Sequence, residues 1–106
     1  MESIPKADAL TLVSNWERHD QRMSIFCFSS LIALSSKQGR VAMCLDDSID
    51  LLLEDETSLR IFISDATFST VEPKDLPAES VNLLPTFRQG IRIALQNEHM
   101  QWFLLA

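Results

Sequence analysis

The first part of the chain carries hydrophobic residues at helical spacing. Ala9, Leu12, Val13 and Trp16 recur three, one and three residues apart, which places them on one face of a helix. Pro5 precedes this stripe at a position suited to the first turn of a helix. The pattern predicts an amphipathic helix of about three turns. Such a helix cannot bury its apolar stripe alone and must pack on the rest of the chain.

Beyond the helix, the hydrophobic pattern changes to short runs and alternations that are typical of β-strands. Leu59, Ile61 and Ile63 occupy every second position, and so do Ile91 and Ile93. Turn-forming residues separate the runs at hairpin spacing, and connecting helices are missing, so the strands should pair antiparallel. We therefore predict a mainly β (α+β) fold, in which the helix precedes a six- or seven-stranded meander. This meander would form a small barrel or a strongly curled sheet.

The chain has 106 residues, which suits one compact domain. We predict a single domain over residues 1–106 with four parts. They are the N-terminal helix and its link (1–21), a strand meander (22–71), a proline-containing loop (72–86) and a C-terminal hairpin (87–106). Within the meander, we expect a turn between the first two strands at residues 35–39 (Ser-Ser-Lys-Gln-Gly), centred on Lys37 and Gln38.

Two of the predicted strands are apolar on both faces. In the first, Phe26 and Phe28 share one side, while Ile25 and Cys27 share the other; in the last, Trp102 opposes Phe103. One small domain with one helix has little to cover both faces of these strands. We therefore predict a homodimer, or association with another protein, through apolar residues that are exposed to a partner. The predicted interface consists of Phe26, Phe28, Trp102 and Phe103. The alternative is that the helix and the proline-containing loop cover that face.

Charge disfavours two classes of partner. The formal net charge is -6, and the stretch from Asp46 to Glu56 holds six acids and no base. Such a patch repels phosphates, so we expect neither nucleic-acid binding nor membrane binding.

The start of the chain does not resemble a secretory signal, and the longest uncharged run, Met23 to Ser36, is too short to span a bilayer. We therefore expect a cytoplasmic protein.

Residues that carry catalysis or bind metals are few. His19, His99, Cys27 and Cys44 show no ligand spacing, and two glycines cannot build a phosphate-binding loop. In the predicted hairpin the two cysteines are out of register, so we expect reduced thiols rather than a disulfide. We predict no catalytic residues, no metal, no cofactor and no enzymatic activity.

A stretch of the chain resembles one known family. The run from Gly39 to Asp55 is similar to the first signature of the Sm-like small barrels, and Arg88 to Ile91 is similar to the second. The resemblance implies a small barrel that self-associates and binds RNA. The spacing is displaced by one residue from that of the family. In addition, Asp50 stands where the family has a base-contacting asparagine, and an aspartate repels RNA.

The sequence favours a non-enzymatic, self-associating interaction or assembly module. The main alternative is a barrel that binds a small apolar ligand. Its cavity would be lined by Phe62, Phe68, Phe87, Ile91 and Ile93. An enzyme or an Sm-like nucleic-acid binder ranks below both.

Overall fold

The computed structural model describes residues 1–29, 37–75, 87–95 and 99–106. One helix and eight strands make up its regular structure, so the predicted mainly antiparallel β fold with an N-terminal helix is confirmed. The elements are β1 (Glu2–Ile4), α1 (Lys6–Arg18), β2 (Met23–Ser29), β3 (Lys37–Cys44), β4 (Ser48–Leu53), β5 (Ser58–Phe62), β6 (Ala66–Val71), a short 3-10 turn (Pro73–Asp75), β7 (Gly90–Leu95) and β8 (Met100–Leu105).

Helix α1 forms where the hydrophobic stripe predicts it. Pro5 is the N-cap, and its carbonyl oxygen accepts the first helical hydrogen bond, from Ala9 N–H at 3.1 Å. Ala9, Val13 and Trp16 are the buried positions of the helix. They lie on one face, as their spacing predicts, and this face packs against the sheet.

All eight strands belong to one antiparallel sheet, in the order β1-β6-β7-β8-β2-β3-β4-β5. The count exceeds the predicted six or seven. The sheet is not closed, and its edges are β1 and β5. Of the two predicted arrangements, a small barrel or a strongly curled sheet, the open sheet matches the second.

The sheet nevertheless curls strongly, because of one short connection. Strands β5 and β6 lie six positions apart in the sheet, which in a flat sheet is about 29 Å. Only residues 63–65 join them, and the path from Phe62 to Ala66 reaches about 15 Å at most. The sheet must therefore bend toward itself. Helix α1 contacts both β3 and β6 across this bend, so it lies on the concave face.

Two hydrophobic clusters lie on opposite faces of the sheet. The inner cluster packs beneath α1 and includes Val13, Ile61 and Leu104. The outer cluster lies on the convex face. It consists of Phe26, Val71, Phe87, Phe103 and Leu105. Strands β2 and β8 contribute to both clusters, which explains why their sequences are apolar on both faces.

Of the turn predicted at residues 35–39, the first two residues lie outside the described part of the chain, and the prediction is wrong for Lys37 and Gln38. Both residues belong to β3, where Lys37 pairs with Ile25 and Gln38 pairs with Ser24. Gly39, which as a sequence feature favours a turn, instead lies in mid-strand opposite Met23. A Cβ there would sit 2.7 Å from the carbonyl oxygen of Leu52, so close backbone approach is the reason for this glycine. Most of the predicted proline-containing loop, residues 76–86, lies outside the described residues.

Candidate interaction surface

Three phenylalanines form an aromatic cluster on the outer face. The rings of Phe26 and Phe103 are stacked, with centroids 4.8 Å apart and planes at 8°. The ring of Phe28 is nearly perpendicular to both, with centroids 5.2 Å from that of Phe26 and 5.9 Å from that of Phe103. Phe26 and Phe103 are 5% exposed, whereas Phe28 is 41% exposed. Phe28 is therefore the member of this cluster that retains surface for a partner.

The fourth predicted interface residue, Trp102, lies on the other face of β8. It packs half-buried against the inner cluster and lines an apolar pocket of about 150 Å³ together with Ile25, Leu53 and Leu59. Lys37 and Thr57 also line this pocket. The structure thus brings the rings of Phe26, Phe28 and Phe103 together on the outer face, while Trp102 packs on the inner face and shares the lining of this pocket with Phe26.

The five residues predicted to line a ligand cavity are not neighbours in one cavity. Phe68, Ile91 and Ile93 are buried in the inner cluster. Phe87 belongs to the outer cluster. Phe62 is 67% exposed on β5. None of the five lines the apolar pocket beside Trp102, which is smaller than the 300–1,000 Å³ or so that is typical of ligand sites.

Strand β5 is an edge whose outer side chains face solvent. Ser58, Arg60 and Phe62 are exposed, while Ile61 is buried and Leu59 half-buried. Among the described strands, only β4 pairs with β5. Phe62, predicted to line an interior cavity, lies on this exposed side of the strand. Its position beside the periodic Ile61 and Ile63 was the signal that it faces outward.

Three members of the acidic stretch have basic partners. Asp50 accepts two hydrogen bonds from Arg60, from Nε at 2.7 Å and from Nη2 at 3.0 Å. Lys37 Nζ lies 3.0 Å from Asp55, and Arg22 lies 2.8 Å from Glu54. These contacts place positive charge beside the stretch that has no base in sequence. The stretch is thus partly neutralised on the folded surface.

Two of these carboxyl groups hold their protons less tightly than an ordinary aspartate. Hydrogen bonds from Thr57 and Lys37 lower the pKa of Asp55 to about 2. The hydrogen bonds from Arg60 lower the pKa of Asp50. Both groups are therefore stabilised as carboxylates, as structural ion pairs require.

The cysteines are free thiols, and they are not adjacent. Cys27 lies opposite Trp102 in the sheet and Cys44 lies opposite Ile49, so the register assumed for the predicted hairpin is wrong. Burial raises the pKa of both thiols, which disfavours the reactive thiolate.

The described residues contain no candidate metal site and no candidate membrane-spanning helix. Within them, no group of three or more His, Cys, Asp or Glu side chains is arranged to hold a metal ion. The ring of His19 is engaged locally, with Nδ1 2.8 Å from the carbonyl oxygen of Asn15. In the same part of the chain, no helix has the length and hydrophobicity needed to cross a membrane.

Arg92 lies beside the aromatic cluster. It faces Phe103 across the β7–β8 pair, and its Nη2 donates to Ser69 Oγ at 3.2 Å. Its Nε is buried without a hydrogen-bond partner among the described residues.

Comparison with known proteins gave no relative. No protein family, no curated protein and no solved structure matches the chain.

Proposed function

We propose that this chain is a non-enzymatic interaction module that self-associates, with a second copy of the chain as its partner. One observation carries the proposal. In the part of the chain that the structure describes, the sheet is open, β4 is the only strand that pairs with its edge strand β5, and Phe62 on β5 is exposed. Unpaired edges are templates for a further strand, and an exposed aromatic residue on such an edge favours contact with another chain.

The other edge of the sheet is poorly suited to pairing. Strand β1 has three residues, of which Glu2 and Ser3 are exposed and polar. The amino group of Met1, next to β1, lies 3.2 Å from Asp75. A very short, polar strand is a common way to protect an edge from association. Strand β5 has five residues and ends in Phe62, so it offers the better surface.

The outer aromatic cluster is the rival surface for self-association, and it is separate from the β5 edge on which the proposal rests. It contains three of the four residues predicted for the interface, and Phe28 is its exposed member. Phe26 and Phe103 bury nearly all of their surface within one chain, so their contribution to a partner is small.

Sedimentation velocity over a range of concentrations tests the proposal. We expect a reversible equilibrium between monomer and dimer, with the dimer fraction rising with concentration. A chain that sediments as a monomer up to about 1 mM, where even weak specific complexes form, contradicts the proposed function.

The alternative function, binding of a small apolar molecule, is supported by the pocket beside Trp102. Its volume of about 150 Å³ suits a molecule the size of benzene. Titration with benzene or a similar aromatic probe, followed by tryptophan fluorescence, tests it. We expect a saturable change that Trp102→Phe abolishes, since Trp16, on the buried face of α1, does not line this pocket. A linear, unsaturable change contradicts this alternative.

A further inference from the structure

We infer that two copies of the chain associate by antiparallel pairing of their β5 strands about a two-fold axis at Ile61, with Phe62 of each copy opposite the partner's Arg60. This inference rests on the proposed function and names the surface and register that carry it.

The first step is the direction of the backbone groups of β5. The N–H of Leu53 donates to the carbonyl oxygen of Thr57, and the N–H of Ile63 donates to that of Asp47, both at 2.9 Å. In antiparallel pairs, hydrogen-bonded positions recur at every second residue. With the observed register, the backbone N–H and C=O groups of Leu59 and Ile61 therefore form hydrogen bonds with β4. Ser58, Arg60 and Phe62 direct their N–H and C=O groups away from β4, toward the free edge.

The second step is the set of registers that a two-fold pair allows. Only residues with outward-facing backbone groups can form hydrogen-bonded pairs between copies, so Ser58, Arg60 and Phe62 must face one another. An axis at Arg60 places two guanidinium groups opposite each other, and like charges across a pair are destabilising. An axis at Leu59 pairs Ser58 with Arg60 and leaves Phe62 outside the hydrogen-bonded pairs. An axis at Ile61 avoids the contact between guanidinium groups and places Arg60 opposite the partner's Phe62 at two equivalent positions.

The third step is the chemistry of that pair. Arg60 and Phe62 both lie on the outer face, because alternate residues of a strand share a face. A guanidinium beside an aromatic ring is a favourable cation–π contact. Asp50 on β4 holds the guanidinium through two hydrogen bonds, so the partner's ring would meet Arg60 from the free-edge side. Pairing then covers part of a ring that is 67% exposed in one copy.

A matched pair of serine variants tests the surface. Phe62 and Phe28 are both exposed phenylalanines on the outer face, but Phe28 lies on β2, three strands from β5. We expect Phe62→Ser to weaken dimerisation about tenfold or more in sedimentation equilibrium. Phe28→Ser should leave the dissociation constant within about twofold. If Phe28→Ser weakens the dimer and Phe62→Ser does not, the edge assignment is overturned and the outer aromatic cluster is the interface.

Cysteine crosslinking tests the register. In a Cys44→Ser background, we would prepare Arg60→Cys and Phe62→Cys separately. Directly opposed hydrogen-bonded residues have Cα atoms about 5.5 Å apart, within disulfide range. We expect disulfide dimers when the two proteins are mixed and oxidised, and far fewer from either protein alone. Self-crosslinking of Arg60→Cys alone would overturn the axis at Ile61. A wild-type monomer at all concentrations would overturn the proposed function as well, whereas a dimer that forms no edge crosslink would overturn this inference alone.

Discussion

Arg60 on the edge strand β5 is joined to Asp50 on β4 by two parallel hydrogen bonds, of 2.7 and 3.0 Å. The two residues are direct cross-strand partners in the sheet. Asp50 is 22% exposed, so this ion pair is more sheltered than the others of the acidic stretch. It ties the outermost strand to the sheet on the face opposite the helix. The bidentate geometry also fixes the orientation of the guanidinium.

The first prediction concerns this ion pair. Asp50→Asn should lower the free energy of unfolding near pH 7, because Arg60 loses its carboxylate partner. The folded pKa of Asp50 lies below its unfolded value of about 3.9. The stabilisation is therefore present above about pH 4 and is lost as the pH falls through the lowered folded pKa. Urea unfolding at neutral and acid pH measures this. Asp46→Asn, which alters an exposed acid in the preceding turn, is the control and should have little effect. Equal destabilisation at both pH values would contradict the prediction.

The second prediction concerns Asp55, whose pKa of about 2 results from hydrogen bonds with Thr57 and Lys37. Its carboxylate stabilises the fold above the unfolded pKa of about 3.9, and this contribution disappears as the pH falls from about 4 through about 2. Asp55→Asn should flatten the dependence of stability on pH in that interval. An NMR titration of the side-chain carboxyl should give a midpoint near 2. A midpoint near 4 would show that the contacts do not persist in solution.

The sequence predicts the parts of this fold that are set by local periodicity. The alternation of Leu59, Ile61 and Ile63 identifies β5, and the spacing of Ala9, Val13 and Trp16 identifies α1. Strand β1 was missed because its three residues become a strand only by pairing with β6, more than sixty residues away. The turn at Gly39 was predicted wrongly because a glycine is required there by the close approach of Leu52, which lies on another strand.

The candidate surface was only partly predictable for a similar reason. The stacking of Phe26 on Phe103 needs β2 and β8 to be neighbours, and nothing local in the sequence sets that pairing. The apolar character of both strands was visible, but not the side on which each residue would be buried. The edge position of β5 depends on the order of all eight strands, so local sequence patterns cannot predict it.

The third prediction concerns the outer cluster. Phe103 is 5% exposed and stacks on Phe26, so Phe103→Ala should cost about 3–5 kcal/mol of stability. Phe62→Ala should change stability by about 0.5 kcal/mol or less, because its ring is 67% exposed. Urea unfolding measures both values, at a protein concentration low enough that self-association does not contribute. A cost below about 1 kcal/mol for Phe103→Ala would mean that the outer cluster is loosely packed in solution.

The fourth prediction compares the chain's two glycines, which both lie in strands and have no positive φ. Replacing either by alanine restricts the unfolded chain, which by itself stabilises by about 0.4–1 kcal/mol. At Gly39, a new Cβ meets the backbone carbonyl oxygen of Leu52 at 2.7 Å, and this atom can move only if β4 moves. At Gly90, the atom at 2.7 Å is the terminal Cδ2 of Leu105, which can rotate away.

Gly39→Ala should therefore cost about 1–3 kcal/mol net, and Gly90→Ala distinctly less. Urea unfolding of the two variants beside the wild-type chain measures the difference, and circular dichroism checks that each variant keeps its strands. An equal or larger cost at Gly90 would place the tighter constraint in the outer cluster around Leu105, not at the β3–β4 contact. Because Gly39 pairs with Met23 on β2 and Leu53 on β4, a shift of β4 at this point would also reach β5, the edge strand proposed to bind a second copy.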